Sequence, residues 1–450
     1  MDTDVKAIRD WLKEHRISEV ECLVPDMAGN ARGKFIPASQ FLNTGHPKLP
    51  ESIMIQTVTG EYCDEHWDFV EPTDADMILK PDLSTLRVVP WAREPTAQII
   101  HDCYKPGGEQ LHPLSSRSVL RNILSLYEKA GLKPVVAPEV EFYLVAKNTD
   151  PDYELMPPKG RSGRRESARL SYSIDAVAEF EDFVADMYDY ADAQSLRVDT
   201  LIHENGAAQM EMNFLHGEAM DLADQVFVFK RTVREAAHKY GMYATFMAKP
   251  MQREPGSAMH LHQSVVRLDN GENIFADHNG QFTDAFMGYI GGLQRYTPEL
   301  ISLYAPNVNS YRRLAPDISA PINLNWGYDN RTTAFRVPHD LPSATRVENR
   351  FPGADANPYL VIAASLASGY LGMQQGLQPS KPHQGTANVD EVEVARTLEE
   401  GLRLLHDTPE LQDMFGDLFL RAYAAVKLDE FEEFNQVISS WEREHLLLQV

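Results

Sequence analysis

The most informative segment of this 450-residue chain reads Val136-Ala-Pro-Glu139-Val-Glu141-Phe-Tyr-Leu144. Alternate side chains of a β-strand point to opposite faces of its sheet. Val140 and Phe142 therefore share one face of the predicted strand. Glu139 and Glu141 share the other face. The pattern predicts a sheet with one apolar face and one face that carries carboxylates.

Three later strand-like segments carry a similar polar stripe. They are residues 209–214, 258–264 and 346–351. Each stripe alone fits an antiparallel sheet with one face in water. The stripes, however, hold mostly Glu, His and Arg with almost no Lys, whereas solvated strand faces usually mix Lys, Thr and Ser with Glu. Four such stripes together favour a shared site over a solvated face.

The residue types in these stripes indicate metal-dependent chemistry. Glu and His beside other oxygen ligands suit Mg²⁺ or Mn²⁺. Paired arginines suit a carboxylate or a phosphate, because the planar guanidinium donates two parallel hydrogen bonds. We therefore predict metal-assisted phosphoryl chemistry on a carboxylate substrate. The sequence has no glycine-rich phosphate loop and no dinucleotide fingerprint, so if ATP binds, metals and arginines must hold its phosphates.

Composition and charge exclude several classes of protein. Lys and Arg number 42 against 66 Asp and Glu, which gives a net charge of −24. Such a charge argues against sequence-independent binding to nucleic acid or to an anionic membrane. Three cysteines are too few for a disulfide framework. The N-terminal residues are charged and lack the apolar segment of a signal peptide, so we expect a cytoplasmic protein.

The hydrophobic pattern divides the chain unevenly. An opening helix, a β-hairpin over residues 20–37 and further short strands up to Ile100 predict a small α+β unit. The Gly- and Pro-containing linker at 104–109 ends this unit, so we place the boundary between residues 1–105 and 106–450. Beyond it we predict strands, a helix over 176–195, and mainly helices after Phe351.

Further motifs occur in order along most of the chain. They are Pro138-Glu-Val-Glu-Phe142, His203-Glu-Asn-Gly-Ala-Ala-Gln-Met-Glu211, Lys249-Pro-Met251, Pro255-Gly-Ser-Ala-Met-His-Leu-His262, Asn309-Ser-Tyr-Arg-Arg313, Asn330-Arg-Thr332 and Arg346-Val-Glu-Asn-Arg350. Through these motifs the chain resembles the glutamine synthetase family. It is most similar to the members that join glutamate to putrescine or other polyamines. So many motifs in one order leave little room for chance.

The resemblance implies a fold, an assembly and a reaction. The fold is α+β, with a small N-terminal β-grasp domain and a large catalytic domain built on a curved antiparallel sheet with flanking helices. The assembly is a homododecamer of two stacked rings, with active sites between neighbouring subunits. In the reaction, ATP phosphorylates the γ-carboxylate of glutamate, and an amine then displaces phosphate to give a γ-glutamyl amide. Mg²⁺ or Mn²⁺ is the implied cofactor.

The resemblance also implies roles for individual residues. One metal would bind Glu141, Glu204 and Glu211, and a second would bind Glu139, His260 and Glu348. Glutamate would be held by Arg313, Arg350 and the backbone of Gly256. Arg331 would stabilise the transferring phosphoryl group, and the nucleotide would lie near His262, Ser264, Arg336 and Arg346. A mobile flap is expected, because the acyl phosphate must be shielded from water.

The amine site departs from the family pattern. Glutamine synthetases proper bind ammonium with an Asp in an Asp-Gly-Ser-Ser segment and with a Glu in the flap. Here the first segment reads Gln56-Thr-Val-Thr-Gly-Glu61, and Ser319 occupies the Glu position of the flap. The predicted metal ligands and arginines are kept, so the change is concentrated on the amine site, although Pro255 and Ser343 also depart from the family pattern. We therefore predict a larger amine, a polyamine or another alkylamine, as the acceptor beside Ser319.

Other interpretations stay open at this point. Asp317 or Glu61 could restore the missing charge, which would leave a glutamine synthetase proper that uses ammonia. A guanidino-kinase-like relative is disfavoured by Arg313 and Arg350, which are placed for a carboxylate substrate. A non-catalytic relative is disfavoured by the intact metal ligands.

An acidic stretch lies beside the altered segment. It contains Glu61, Asp64, Glu65 and Asp68. The stretch could attract a polycation or could simply be a solvated loop. We expect Trp67, within it, to be packed rather than ligand-binding.

Overall fold

The computed structural model describes residues 2–43, 46–316, 320–388, 391–405 and 408–450. Its strands are β1 Glu19–Pro25, β2 Ala31–Pro37, β3 Lys48–Pro50, β4 Asp76–Pro81, β5 Arg87–Val88, β6 Thr96–Tyr104, β7 Leu132–Ala146, β8 Val198–His203, β9 Gln209–Phe214, β10 Gly217–Glu218, β11 Met242–Thr245, β12 Met259–Arg267, β13 Trp326–Tyr328, β14 Phe335–Val337 and β15 Val347–Asn349. Its helices are α1 Asp2–Glu14, α2 Ala38–Phe41, α3 His66–Phe69, α4 Ser116–Lys129, α5 Ile174–Ala178, α6 Glu181–Ala193, α7 Ala219–Lys239, α8 Asp284–Tyr304, α9 Pro358–Gln375, α10 Leu398–Leu404, α11 Pro409–Phe415, α12 Asp417–Asn435 and α13 Ser440–Leu446.

The N-terminal unit is a mixed sheet in the order β2-β1-β6-β4-β3, with β5 beside β6. The predicted hairpin is β1 and β2, and β1 also pairs in parallel with β6. One face of the sheet packs against α1 through a small core that includes Leu12, Cys22 and Ile99. The other face contributes Leu23 and Ile100 to the main core of the protein. The predicted hairpin and short strands are therefore present, and each face of the sheet contributes residues to a core, although β2 is mostly exposed.

The predicted domain boundary, between residues 105 and 106, lies in the connection from β6 to α4. Because the inner face of the N-terminal sheet belongs to the main core, the two units share apolar packing. The position of the boundary stays a proposal.

A buried arginine joins the two units. Arg117, in the first turn of α4, has a fully buried side chain. It donates to Asp82 at 2.6 Å and to Asp102, both from the N-terminal unit. It also donates to both oxygens of Asp224 of α7, at 3.0 and 2.8 Å. Tyr359 donates to the same Asp224 carboxylate at 2.6 Å. Three carboxylates around one guanidinium offset the cost of its burial and fix the two units relative to each other.

The large unit is built on a nine-stranded sheet in the order β13-β14-β15-β12-β7-β9-β8, with β10 and β11 also paired to β7. Among the described strands of this sheet, β13 and β14 form the one parallel pair. The predicted antiparallel sheet is confirmed apart from this pair. The central strand, β7, has 15 residues and lies between β12 and β9.

The register of the sheet brings the predicted polar stripes together. Glu139 of β7 lies opposite His260 of β12. Glu141 lies opposite Glu211 of β9. Glu141 and Glu211 are only 7% and 6% exposed, which excludes a solvated sheet face.

Helices cover the apolar face of this sheet. Phe142 of β7 packs edge-to-face against Phe229 of α7, with ring centroids 6.3 Å apart. Helices α8 and α9 approach closely at Gly292, where an added Cβ would lie 2.1 Å from the carbonyl oxygen of Ser368. Helix α9 is mostly buried, as its apolar sequence predicts. Among the described residues, the helices are too short or too polar to cross a membrane.

Two local predictions are wrong. The helix predicted over 176–195 is two helices, α5 and α6. The break is at Glu179, whose carboxylate accepts from the amide and hydroxyl of Ser162 in the exposed preceding loop. Trp67 is 49% exposed rather than packed. It lies on the one-turn helix α3 and contacts its neighbour His66, with ring centroids 4.2 Å apart.

Candidate active site

Strands and loops of the large unit surround a cavity of about 310 Å³. The predicted site residues that line it are Glu139, Glu141, Glu204, Glu211, Gly256, His260, Arg313, Arg331 and Arg350. The acidic residues come from β7, β9 and the turn after β8, and the arginines come from residues outside the described strands. Carboxylates and guanidinium groups therefore line a single cavity.

Two groups of side chains among the described residues are close enough to bind metal ions. The ligand atoms of Glu139, His260 and Glu348 lie within 4.8 Å of one another, as do those of Glu141, Glu211 and His260. The first group is the predicted one. In the second, His260 takes the predicted place of Glu204, which lines the same cavity but does not belong to the group. Carboxylates with one imidazole suit Mg²⁺ or Mn²⁺.

The electrostatics of the cavity also fit divalent cations. Burial, with the nearby charge of Glu204, raises the pKa of Glu141 to about 8. Burial, with the charge of Glu141, raises the pKa of Glu211 to about 10. Burial lowers the pKa of His260 to about 4, so its ring is neutral at pH 7 and offers a lone pair. Bound cations would relieve the repulsion between the carboxylates.

Glu348 is a buried carboxylate that two arginines hold. Arg350 donates to one of its oxygens, and Arg336 donates to the other at 2.8 Å. Burial raises the pKa of Glu348, but the charges of Arg350 and the neighbouring histidines outweigh it and lower this pKa to about 2. Arg336, a predicted nucleotide residue, is therefore hydrogen-bonded to a candidate metal ligand. Its other terminal nitrogen lies 3.1 Å from Asp329.

A second cavity, of about 400 Å³, adjoins the first and shares Glu139 with it. Three of the four predicted nucleotide residues, His262, Ser264 and Arg346, line this cavity, and Arg336 does not. Nε2 of His262 lies 3.0 Å from Oε1 of Glu139, and Nδ1 lies 3.4 Å from Nε of Arg346. Burial raises the pKa of Glu139, but hydrogen bonds with His260 and His262 lower it well below its usual value.

Backbone carbonyls aim Arg313 into the first cavity. Its terminal nitrogens donate to the carbonyl oxygens of Phe351, at 2.7 Å, and of Arg350, at 3.0 Å. Burial lowers the pKa of Arg313 to about 10, which leaves the guanidinium charged at neutral pH. Two of its five N–H groups satisfy the backbone, so others are available to an anion. Arg331, in contrast, is exposed at the mouth of the cavity.

The two segments predicted to form the amine site lie in different places. Ser319 and Asp317 of the flap lie outside the described residues, whereas Ala320 lines the cavity. Residues 56–61 do not line the described part of the cavity of their own chain. The amide of Val58 instead donates to Glu430 of α12 at 2.7 Å. Glu61 is exposed.

Sequence reasoning missed several residues that line the cavity. They include Tyr172, Ile202, Thr332 and Asn388. Tyr172 has a φ of +60°, a left-handed conformation that few non-glycine residues adopt. It lies at the end of an exposed loop without a periodic pattern, so no sequence signal pointed to it. Thr332 belongs to the motif Asn330-Arg-Thr332 and could have been found there.

Comparison with protein families matches residues 113–446 to a model described as the catalytic domain of glutamine synthetase. The match covers most of the chain. The chain belongs to the glutamine synthetase family. Proteins of this family are ATP-dependent carbon–nitrogen ligases that use divalent metals, and the chain is an enzyme of that class.

Similar glutamine synthetase family proteins use different nitrogen donors. A glutamate–isopropylamine ligase of a Pseudomonas species is 34% identical over 97% of this chain and 96% of its own length. The γ-glutamylputrescine synthetase PuuA of Escherichia coli (strain K12) is 33% identical over 95% of this chain and 91% of its own length. A glutamine synthetase of Pyrococcus horikoshii is 33% identical over 87% of this chain and 82% of its own length.

Solved structures support the same fold. Apo GmaS without ligand superposes with a TM-score of 0.82 at 25% identity, over 98% of this chain and 99% of the other. A GmaS/ADP complex covers the same fractions with a TM-score of 0.83. The predicted glutamine synthetase family membership and α+β fold are therefore confirmed.

The clustered carboxylates predict that stability depends on metal and pH. Without a cation, the raised pKa values of Glu141 and Glu211 mean that ionisation opposes folding. Metal-free stability is therefore lost as pH rises from the unfolded pKa of about 4.3 through these values. We expect Mn²⁺ to raise Tm by about 2 °C or more, and by more at pH 8 than at pH 6. Thermal unfolding with Mn²⁺ or EDTA tests this, and equal shifts at both pH values would contradict it.

Gly256 has no space for a side chain. A Cβ would lie 2.7 Å from the carbonyl oxygen of Ala248 and 2.7 Å from Cγ of Arg313. Gly256→Ala is therefore expected to displace Arg313 and to raise KM for glutamate about tenfold or more, the cost of a misplaced charge-assisted hydrogen bond. Steady-state phosphate release measures this, with KM for ATP as the internal control. An equal rise in both KM values would show that the effect is not local to Arg313.

Proposed function

We propose that the protein joins the γ-carboxylate of glutamate to the nitrogen of an alkylamine or polyamine while ATP is converted to ADP and phosphate. One observation carries the proposal. The metal-ligand and arginine positions of the family are kept, whereas the two carboxylates that bind ammonium are replaced by the segment at 56–61 and by Ser319. Similarity to a glutamate–isopropylamine ligase and a γ-glutamylputrescine synthetase supports it.

We propose a reaction in two steps through γ-glutamyl phosphate. Arg313 and Arg350 would hold glutamate, and Arg331 would face the phosphoryl group. A γ-carboxylate oxygen attacks the terminal phosphorus of ATP as the bond to ADP breaks. The amine nitrogen then attacks the acyl carbon, phosphate leaves with the attacking oxygen, and the nitrogen loses a proton. Bound divalent cations would neutralise the charge of the phosphates and the carboxylate.

The lining of the first cavity supports a large amine. Glu204 could attract a protonated amine on its way into the cavity, and the ring of Tyr172 and the alkyl group of Ile202 line the same cavity. Tyr172 is 62% exposed, so it offers an aromatic face at the cavity mouth. An aromatic face beside a carboxylate is a favourable surface for an alkylammonium ion. Ammonium needs no such apolar contact.

Phosphate release with different amines tests the proposal. Glutamate, ATP and Mg²⁺ are held saturating while ammonium, isopropylamine, putrescine and spermidine are varied. We expect kcat/KM for at least one organic amine to exceed that for ammonium by about a hundredfold, since a pocket shaped for alkyl groups discriminates by several contacts. Saturation by ammonium at low concentration, with no response to the larger amines, would overturn it.

The proposed intermediate has its own test. With glutamate labelled by ¹⁸O in its γ-carboxylate, the attacking oxygen leaves in phosphate. We expect one ¹⁸O in the phosphate released per turnover. Unlabelled phosphate would exclude the acyl phosphate route.

Glutamine synthetase proper is the second candidate. The Pyrococcus horikoshii glutamine synthetase, at 33% identity, favours it. It needs a carboxylate at the amine site, and Asp317 is the flap residue that could supply one. Asp317→Asn would then abolish use of ammonium, whereas the proposed amine ligase would keep its activity with an organic amine.

We also propose the double-ring dodecamer, with a neighbour's N-terminal unit beside each site. The proposal is supported by the position of residues 56–61, which bond to α12 of their own chain and do not line its described cavity. Light scattering should give twelve times the subunit mass of 50.8 kDa. A monomer with full activity would contradict it.

A further inference from the structure

Tyr172, at the end of the exposed loop before α5, lines the first cavity. We call residues 166–172 the wall segment. It is attached to the turn at residues 203–208, which carries the site residue Glu204. The hydroxyl of Ser171 pairs with Asn205 at 2.9 Å, and the amide of Tyr172 donates to the carbonyl oxygen of His203 at 2.8 Å. The wall segment therefore positions both Tyr172 and the turn.

Glu166 makes a further attachment in this segment. Its Oε2 accepts from the amide of Ala208 at 2.8 Å and lies 3.0 Å from Nε2 of His203. The other ring nitrogen of His203 donates to the carbonyl oxygen of Glu204 at 2.8 Å. His203 is 1% exposed. One carboxylate oxygen thus fixes the imidazole that in turn holds the backbone of Glu204.

The backbone on both sides of this attachment is in an unfavourable conformation. Tyr172 has a φ of +60° and Ala208 a φ of +57°. Non-glycine residues persist in this region only where surrounding contacts determine their conformation. The amide of Ala208 donates directly to Glu166, and the amide of Tyr172 donates to the carbonyl oxygen of His203. Loss of the Glu166 carboxylate would therefore release both conformations.

Glu166 also carries a cost that stability alone does not explain. Its side chain is 10% exposed, and among the described residues its Oε1 is buried without a hydrogen-bond partner. An unpaired buried carboxylate oxygen is unfavourable. Local costs of this kind are typical of functional positions.

We infer that Glu166 is a positioning residue for the amine side of the active site, acting through His203 and Ala208 on Glu204 and Tyr172. The inference deepens the proposed function and rests on its assignment of Glu204 and Tyr172 to the cavity wall that receives the amine. Glu166 itself does not line the first cavity. Substitution of Glu166 should therefore change KM for the amine rather than KM for ATP, because three of the four proposed nucleotide residues line a second cavity.

The test compares three variants of the full-length enzyme. Glu166→Ala removes the acceptor. Glu166→Gln keeps one oxygen that can accept both bonds. Glu179→Ala is the matched control, because Glu179 also binds the exposed loop, through Ser162, but makes no contact with His203 or Ala208 and does not line the first cavity. For each variant, kcat and KM are measured for the amine, glutamate and ATP, and thermal unfolding checks the fold.

We expect Glu166→Ala to raise KM for the amine and lower kcat, each about tenfold, because small displacements at a site reduce rates by such factors. KM for ATP should change less than about twofold, and Glu166→Gln and Glu179→Ala should stay within about threefold of wild type. The inference is overturned if Glu166→Ala leaves KM for the amine unchanged, if KM for ATP rises equally, or if Glu179→Ala has the same effect. It is also overturned if Glu166→Gln is folded and as impaired as Glu166→Ala.

A different result would refute the proposed function. Wild-type enzyme that turns over with ammonium alone would refute the organic amine. The comparison of Glu166 variants would then be made with ammonium and would still decide the positioning role.

Discussion

Glu348→Ala is expected to reduce ATP-dependent phosphate release by about a thousandfold or more, as expected for the loss of a central electrostatic group. Glu348 is 1% exposed, and its ligand atoms lie within 4.8 Å of those of Glu139 and His260. It is also the shared partner of Arg336 and Arg350. The substitution removes a candidate metal ligand and the carboxylate that Arg336 and Arg350 share.

The control for this experiment is Glu272→Ala. Glu272 is half-exposed and lies between β12 and α8, away from both cavities. It should keep wild-type turnover. Residual activity of Glu348→Ala above about a tenth of wild type, in folded protein, would show that this position is not part of the chemistry.

Arg117→Met is expected to destabilise the protein by about 3–5 kcal/mol, the usual cost of breaking a buried ion pair on one side. Methionine fills much of the volume but leaves Asp82, Asp102 and Asp224 without their shared cation. Burial of Asp224 at 2% side-chain exposure makes the unpaired charge costly. Because the first two carboxylates belong to the N-terminal unit, its attachment should weaken. Denaturant unfolding measures the loss.

Arg121→Met is the matched control. Arg121 lies one helical turn further along α4 and donates to Asp102 at 2.7 Å, but its side chain is 39% exposed. Exposed pairs contribute about 0–1 kcal/mol. If Arg117→Met lost no more stability than Arg121→Met, the buried cluster would not be what joins the two units.

Strand periodicity explains why much of the site could be predicted. The alternation in β7 fixes Glu139 and Glu141 on one face, whatever the neighbouring strands are. The opposite apolar face then has to be covered, and α7 covers it through Phe229. Both conclusions need only a local pattern and the tendency of apolar faces to be buried.

The pairing of strands, in contrast, could not be read from the sequence. Arg336 forms a hydrogen bond with Glu348 because the β14–β15 register places the two residues opposite each other. His260 joins both metal-ligand groups because it lies opposite Glu139. Such register depends on contacts between distant segments. A local pattern therefore predicted the ligand types but not how they are divided between the two groups.

Loop residues were the least predictable. Tyr172 lines the cavity because hydrogen bonds to the turn at 203–208 hold it in a left-handed conformation. At the break between α5 and α6, Glu179 accepts hydrogen bonds from Ser162, 17 residues away. Neither feature has periodicity or a turn signature that could have revealed it.

Direct competition between amines tests the central claim most directly. Wild-type enzyme is given limiting ATP with glutamate, Mg²⁺ and equal concentrations of ammonium and the organic amine that gives the highest kcat/KM, and the products are measured by mass spectrometry. The account predicts that the γ-glutamyl alkylamide exceeds glutamine by about a hundredfold, the ratio of the two kcat/KM values. Glutamine as the main product would contradict it.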